Sequence, residues 1–269
     1  MNLRAPAVMI ASGVSLYAGA AVAVGLFDVL PPAIVAWFRI SAAAVILLAL
    51  VRPRLADFRS VPALIYGLAT MGMNMAFYES IARLPLGTAV AVEFLGPVLV
   101  AAVGSRSIRD WLALALATSG VVVISGAVWS TAAVGLGFAL LAGGLWAVYI
   151  LVGSRIAVSS PRKSMTTGFT MAAVLALPLV VWGWPEHVET PATMLLGLAL
   201  GLGVLSAVIP YSLDQVVMRM AGSSYFALLQ ALLPVVAAVL GAVALGQWLS
   251  LPEVVGIVLV VAAVALRRP

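Results

Sequence analysis

The chain of 269 residues is 64% apolar and only 9% charged, with a mean hydropathy of +1.21, far from the roughly 45–50% apolar and about 25% charged make-up of soluble domains. That excess excludes a soluble globular fold. The pI near 10.1 and net charge of +5 reflect cations beside apolar runs, which read as membrane topology signals rather than as a nucleic-acid surface.

Crossing a hydrocarbon layer roughly 30 Å thick takes about 20 residues of helix, so the length predicts an all-α polytopic membrane protein of ten transmembrane helices. The first span, 6–26, contains Ala18-Gly19-Ala20, which mimics a signal-cleavage site, but its apolar run exceeds a signal h-region and is expected to remain. Next come 33–51 with Arg39, 61–82 with Thr70, Asn74, Tyr78 and Glu79, 87–104 with Glu93 and Pro97, and 111–128. The second five are predicted at 135–153 with Trp146, 164–184, 192–213 ending in Pro210-Tyr211, 222–245 with Gln230 and Pro234, and 252–266. With the N-terminus cytoplasmic, Arg4, Arg52, Arg54, Arg59, Arg106, Arg109, Arg155, Arg162, Lys163, Arg219, Arg267 and Arg268 all fall inside. Arg83 alone falls outside and Arg39 lies within a span, so both termini are expected in the cytoplasm.

The two halves, 1–130 and 131–269, share an order of landmarks. Tyr78-Glu79-Ser80-Ile81 through Glu93-Phe94-Leu95-Gly96-Pro97 is matched by Tyr211-Ser212-Leu213-Asp214 through Gln230-Ala231-Leu232-Leu233-Pro234. Each stretch runs from a polar turn with Tyr to a span with Pro four residues after a polar side chain. Five spans is an odd number, so the second copy enters the membrane inverted, as in transporters whose halves alternate around a central site.

These residues resemble the EamA-type members of the drug/metabolite transporter superfamily, in particular the threonine/homoserine exporter branch. The resemblance rests on Tyr66-Gly67, Met73-Asn74, Phe77-Tyr78, Ser80-Ile81, Pro85-Leu86-Gly87, Ala89-Val90-Ala91, Glu93-Phe94 and Gly96-Pro97, then on Trp146 to Leu151 and Pro210-Tyr211-Ser212-Leu213. It implies two inverted five-helix repeats and proton-driven efflux of a small amino acid or related metabolite across the inner membrane. Leu233 and Gln247 stand where relatives carry Glu, which bears on the substrate.

Ionisable groups inside a span cost roughly 2.5–3.5 kcal/mol on insertion scales and tend to face a cavity or a partner. Arg39 and Glu93 each lie about seven residues, roughly 10 Å, from the outer boundary. Pro97 has no N–H and frees the carbonyl of Glu93, and Pro234 is expected to do the same for Gln230. Glu93 reads as the site for an ammonium or a proton, with Arg39 either orienting a carboxylate or locking Glu93 in a buried pair. Asn74 shares a face with Thr70 and Tyr78 and reads as a cavity donor or as a packing hydrogen bond; Trp146 reads as cavity wall or packing. Ser12, Ser15 and Gly19 are expected to line the first span in the same way. Tyr78 and Tyr211 suit paired gates at opposite faces, against the alternative of an interfacial aromatic belt, which suits Trp129, Trp182, Trp184 and Trp248. Glu79 and Arg83 have the spacing of a surface helix pair, and Gly197 with Gly201 reads as a helix-packing motif.

An intramembrane enzyme would need a nucleophile with its base, or metal ligands. The one histidine, His187, falls in an outer loop and cysteine is absent. No catalytic residue, metal or cofactor is therefore expected. A channel would show filter repeats, and a cation-drug exporter would not place Arg39 beside Glu93. The sequence reading is thus an exporter of a small zwitterion in the lipid bilayer, with protons as the coupling partner that the resemblance implies, a multidrug or other metabolite exporter or a lipid flippase as alternative, and a monomer as working expectation.

Overall fold

The computed structural model describes residues 4–104, 107–157, 161–210, 213, 216, 217 and 229–266, and the elements among them are all helical. Helix α1 (Arg4–Val24) leads through a turn to α2 (Pro32–Val51), whose first position is a proline, where a missing N–H costs nothing. Arg52 ends α2 in the left-handed conformation, φ 48°, returning its N–H to Leu48 O. A short 3-10 turn (Leu55–Arg59) precedes α3 (Val61–Ile81), capped by the Ser60 hydroxyl, which accepts from the Ala63 N–H.

The expected fourth span is two pieces, α4 (Leu86–Glu93) and α5 (Leu95–Gly104), broken at Phe94 three residues before Pro97. The fifth and sixth spans, expected to be joined by a connection, form one helical run α6 (Ile108–Ala157), interrupted only by non-helical Ala132 at φ −143°. Next come α7 (Pro161–Leu175) and α8 (Leu177–Trp182), then α9 (Ala192–Gly203) continuing into a π-helical turn (Val204–Val208). A 3-10 turn (Gln230–Leu232) opens α10 (Leu233–Leu245), which Gly246 ends at φ 65°, and α11 (Leu251–Leu266) is the last described helix. By length and composition, Arg4–Val24, Pro32–Val51, Ala132–Gly153 and Arg162–Trp182 are apolar enough to cross a membrane.

The packing is inverted relative to a water-soluble core. Leu50, Val181, Trp182, Val243 and Trp248 are 72–87% exposed, while the interior is dominated by Ala, Val and Gly. Lipid tails are as apolar as Leu, so large side chains gain little by burial and small ones let backbones meet. A Cβ on Gly67 of α3 would lie 1.9 Å from Gly168 O of α7, and one on Gly203 of α9 would lie 2.7 Å from the Ala42 Cβ of α2. Gly96 of α5 abuts Gly143 of α6 in the same way, and Gly13 of α1 abuts Leu233 of α10. Among the described residues no atom lies within 4 Å of a Cβ on Gly197 or Gly201, so the expected packing motif makes no contact there; with Val22 and Leu205 the two glycines line an apolar surface groove.

Gly67→Ala is expected to force α3 from α7 at a cost of about 1–3 kcal/mol, whereas Gly137→Ala in α6, with nothing within 4 Å, gains helix propensity of about 0.5–1 kcal/mol. Melting of the detergent-solubilised protein checks this, and equal shifts for the two variants would contradict the packing described.

Candidate functional site

Glu93 ends α4 and is 7% exposed, yet no hydrogen bond or ion pair engages its carboxylate among the described residues. Its main-chain carbonyl, which Pro97 cannot serve, lies against α6, 2.7 Å from where a Gly143 Cβ would stand. Phe94, next along the break, packs edge-on to Trp146 at 4.9 Å and 84°. Glycines at positions 96 and 143 thus let the broken helix reach α6, where Phe94 meets Trp146.

Arg39 of α2 is 4% exposed and close enough for its charge to act on Glu93. The ion pairs among the described residues are nevertheless Arg83–Glu79 and Lys163–Asp57, so the two buried charges do not form the locked pair that the sequence left open. Arg39 instead donates from Nη2 to Ser206 O at 2.5 Å, its guanidinium carbon sits 5.7 Å from the Tyr78 ring centroid, and Nε has no acceptor among the described residues. Contact of Gly203 with Ala42 brings α2 and the π turn together one helical turn from this bond.

Thr70, Asn74 and Tyr78 of α3 are all buried. Thr70 Oγ1 donates to Tyr66 O and Asn74 Nδ2 to Thr70 O, so the Asn74 amide is spent partly on its own helix. Tyr78 is fully buried beside Phe27, and its hydroxyl has no partner among the described residues. Glu79 pairs with Arg83 at 2.6 Å and also accepts from the Ala33 N–H at the start of α2, a structural clasp at the helix ends. Gln230 is half-buried, but its carbonyl is not freed as expected: the 3-10 turn lets the Leu233 N–H, three residues on, bond to it before Pro234. Pro210 follows the π turn, and Tyr211 lies outside the described residues.

Several contributors carried no strong sequence signal. Ser15 Oγ donates to Leu205 O at 2.5 Å and Ser12 Oγ to Pro210 O at 3.3 Å, so α1 is fastened to the π turn. Trp37 Nε1 reaches Ala173 O of α7 at 2.8 Å. Gln247, at a position where the family pattern has Glu, accepts from the Leu86 N–H and caps α4; Leu233, at the other such position, packs on Gly13. Buried Glu253 accepts from the Thr88 hydroxyl at 2.8 Å and from the Ser250 hydroxyl and N–H. Both departures from the family pattern therefore serve helix packing in this chain. Among the described residues no cluster of three His, Asp or Glu side chains could hold a metal ion.

Residues 133–267 match the model of the EamA-like transporter family. The threonine/homoserine exporter RhtA of Salmonella typhimurium (strain SL1344) is 32% identical over 262 residues, covering 93% of this chain and 86% of its own length. RhtA of Escherichia coli (strain K12) is 30% identical, covering 95% and 88%. A solved crystal structure, 19% identical, superposes on 97% of this chain and 96% of its own with a TM-score of 0.63, showing a shared fold.

Because the Tyr78 hydroxyl is buried without a partner, Tyr78→Phe is expected to leave thermal stability within about 0.5 kcal/mol, while Tyr78→Ala, which empties the space under Arg39, costs about 3–5 kcal/mol. A large loss in the Phe variant would contradict the unpartnered hydroxyl.

Proposed function

The chain belongs to the EamA-like transporter family, and on that premise we propose that this membrane exporter moves a small zwitterionic amino acid or related metabolite out across the inner membrane. The observation that carries the reading is the buried, unpaired coexistence of Glu93 and Arg39. A carboxylate and a guanidinium that neither touch nor neutralise each other are complementary to the ammonium and carboxylate of a zwitterion. An intramembrane charge left open in this way is a functional site by default. Relatives named as threonine/homoserine exporters support a substrate of that size and charge pattern.

Glu93 takes the ammonium or, when the site is empty, a proton, which ties export to the proton gradient. Arg39 orients the substrate carboxylate, Asn74, Gln230 and Trp146 shape the cavity, and Tyr78 and Tyr211 act as gates at its two ends. Breaks near Pro97 and Pro210 supply main-chain polar groups at depth, where irregular backbone is tolerated only if it is buried or lines a cavity.

Alternating access of two inverted five-helix halves, ten spans in all, is the mode of action we infer. Two reciprocal packings support it: α3 on α7 is mirrored by α9 on α2, and α4 with α5 on the second part of α6 is mirrored by α10 on α1. The family match over 133–267 also corresponds to the second unit. The bias of basic residues toward one set of loops supports cytoplasmic termini.

Glu93→Gln is expected to lower pH-driven export of threonine or homoserine from proteoliposomes at least about tenfold, the loss of a charge-assisted bond worth about 1.5–3 kcal/mol. Full-rate pH-driven export of every amino acid tested would end the assignment. Reporter fusions at Arg162 and Glu189 should report cytoplasmic and external positions respectively; an external Arg162 would reverse the orientation.

A further inference from the structure

The feature that charge complementarity leaves unexplained is what Arg39 does in this structure: it is latched to a main-chain carbonyl while its Nε, equally buried, has no acceptor among the described residues. That carbonyl is available for a traceable reason. In the turn Val204–Val208 the Ile209 N–H returns five residues to Val204 O, the π pattern, and Pro210 has no N–H at all. Leu205 O therefore lacks both its α donor, spent on Val204, and its π donor, absent from Pro210; Ser206 O lacks its α donor because that too is Pro210. Buried carbonyls must be served, and here side chains from two other helices serve them: Ser15 takes Leu205 O and Arg39 takes Ser206 O. Gly19 makes room, since a Cβ there would lie 2.5 Å from the Ser206 Cβ.

Resting on the zwitterion reading above, we propose that the Ser206 carbonyl is an internal substitute for the substrate carboxylate, and that substrate binding takes Arg39 away from it. A carboxylate is the stronger acceptor and can engage a guanidinium through two parallel bonds, which the unspent Nε makes possible. The Tyr78 ring under the guanidinium keeps the cation stabilised during the handover. Release removes the clasp between α2 and the π turn, so a carboxylate in the site favours the conformation in which α9 and α2 separate. A substrate without a carboxylate leaves the latch closed. Pro210 and the Ser206 carbonyl are thus positioning elements acting through Arg39, and they set both selectivity and the coupling of binding to movement.

The test uses the full-length protein in lipid with L-threonine and L-threoninamide as probes. Wild type should bind threonine in preference to threoninamide, and threonine should speed backbone hydrogen exchange in 204–209. Pro210→Ala supplies an N–H for the stranded carbonyls and unlatches Arg39, so threonine should bind about tenfold tighter, the worth of one bond to a charged group, while counterflow at saturating threonine slows. Arg39→Gln should show fast exchange in 204–209 without substrate and no response to threonine, and this comparison decides the matter if Pro210→Ala does not fold. Wild-type affinity and counterflow in Pro210→Ala, or protection of 204–209 in wild type that threonine does not alter, would overturn the latch while leaving the zwitterion reading intact. Equal binding of threonine and threoninamide by wild type would overturn both.

Discussion

A guanidinium held inside an apolar bundle by a main-chain carbonyl, with no carboxylate bonded to it, is the constraint around which this structure is organised. Burying such a cation costs several kcal/mol even in favourable surroundings, so the neighbouring elements must offset that cost. The π turn exposes the Ser206 carbonyl, Tyr78 presents its ring face, and Gly203 lets α9 approach α2 closely enough for the bond to form. Ser12 and Ser15 fasten α1 to the same turn. The consecutive helices α1 and α2 are thereby joined to the distant α9 by a single irregularity in the backbone.

The opposite charge is housed by a second irregularity. Pro97 ends α4 at Glu93, Gly96 and Gly143 let the break lie against α6, and Phe94 with Trp146 seals its flank. The N-terminal end of α4 is fixed through Gln247 on Leu86 and Glu253 on Thr88, so the helix carrying Glu93 is tied to the Gln247 turn after α10 and to α11. Arg39 and Glu93 therefore belong to differently anchored parts of the bundle. On the proposed function, that arrangement suits a site whose two charges separate or approach as the parts move.

Much of the helical layout was legible in the chain. Apolar runs bounded by charge, Pro or Gly locate α1, α2, α3 and α11 to within a few residues, and Arg39 and Glu93 stand out because the surrounding runs carry no other charge. The break beside Glu93 follows from Pro97. Other features resist reading because they depend on main-chain atoms, which look alike in every residue: the Ser206 carbonyl as the partner of Arg39 is one. Gln230 shows the converse, since Pro234 was expected to free its carbonyl and a local 3-10 turn satisfied it. The helical continuity through Ala132 was likewise hidden, because no proline or charge run distinguishes a kink there from a loop. Gln247 stands out only through the family pattern, whereas its partner Leu86, like the Thr88 partner of Glu253, is more than 160 residues away.

The central claim, that Glu93 and Arg39 flank a polar pocket open to one face of the membrane and then to the other, is tested most directly by accessibility. The chain has no cysteine, so a single Asn74→Cys substitution reports on the pocket wall without background. A membrane-impermeant thiol reagent applied separately to each face of oriented vesicles should label this position from both sides, with threonine changing the two rates in opposite directions. Labelling from neither side, or rates that threonine leaves untouched, would contradict the account.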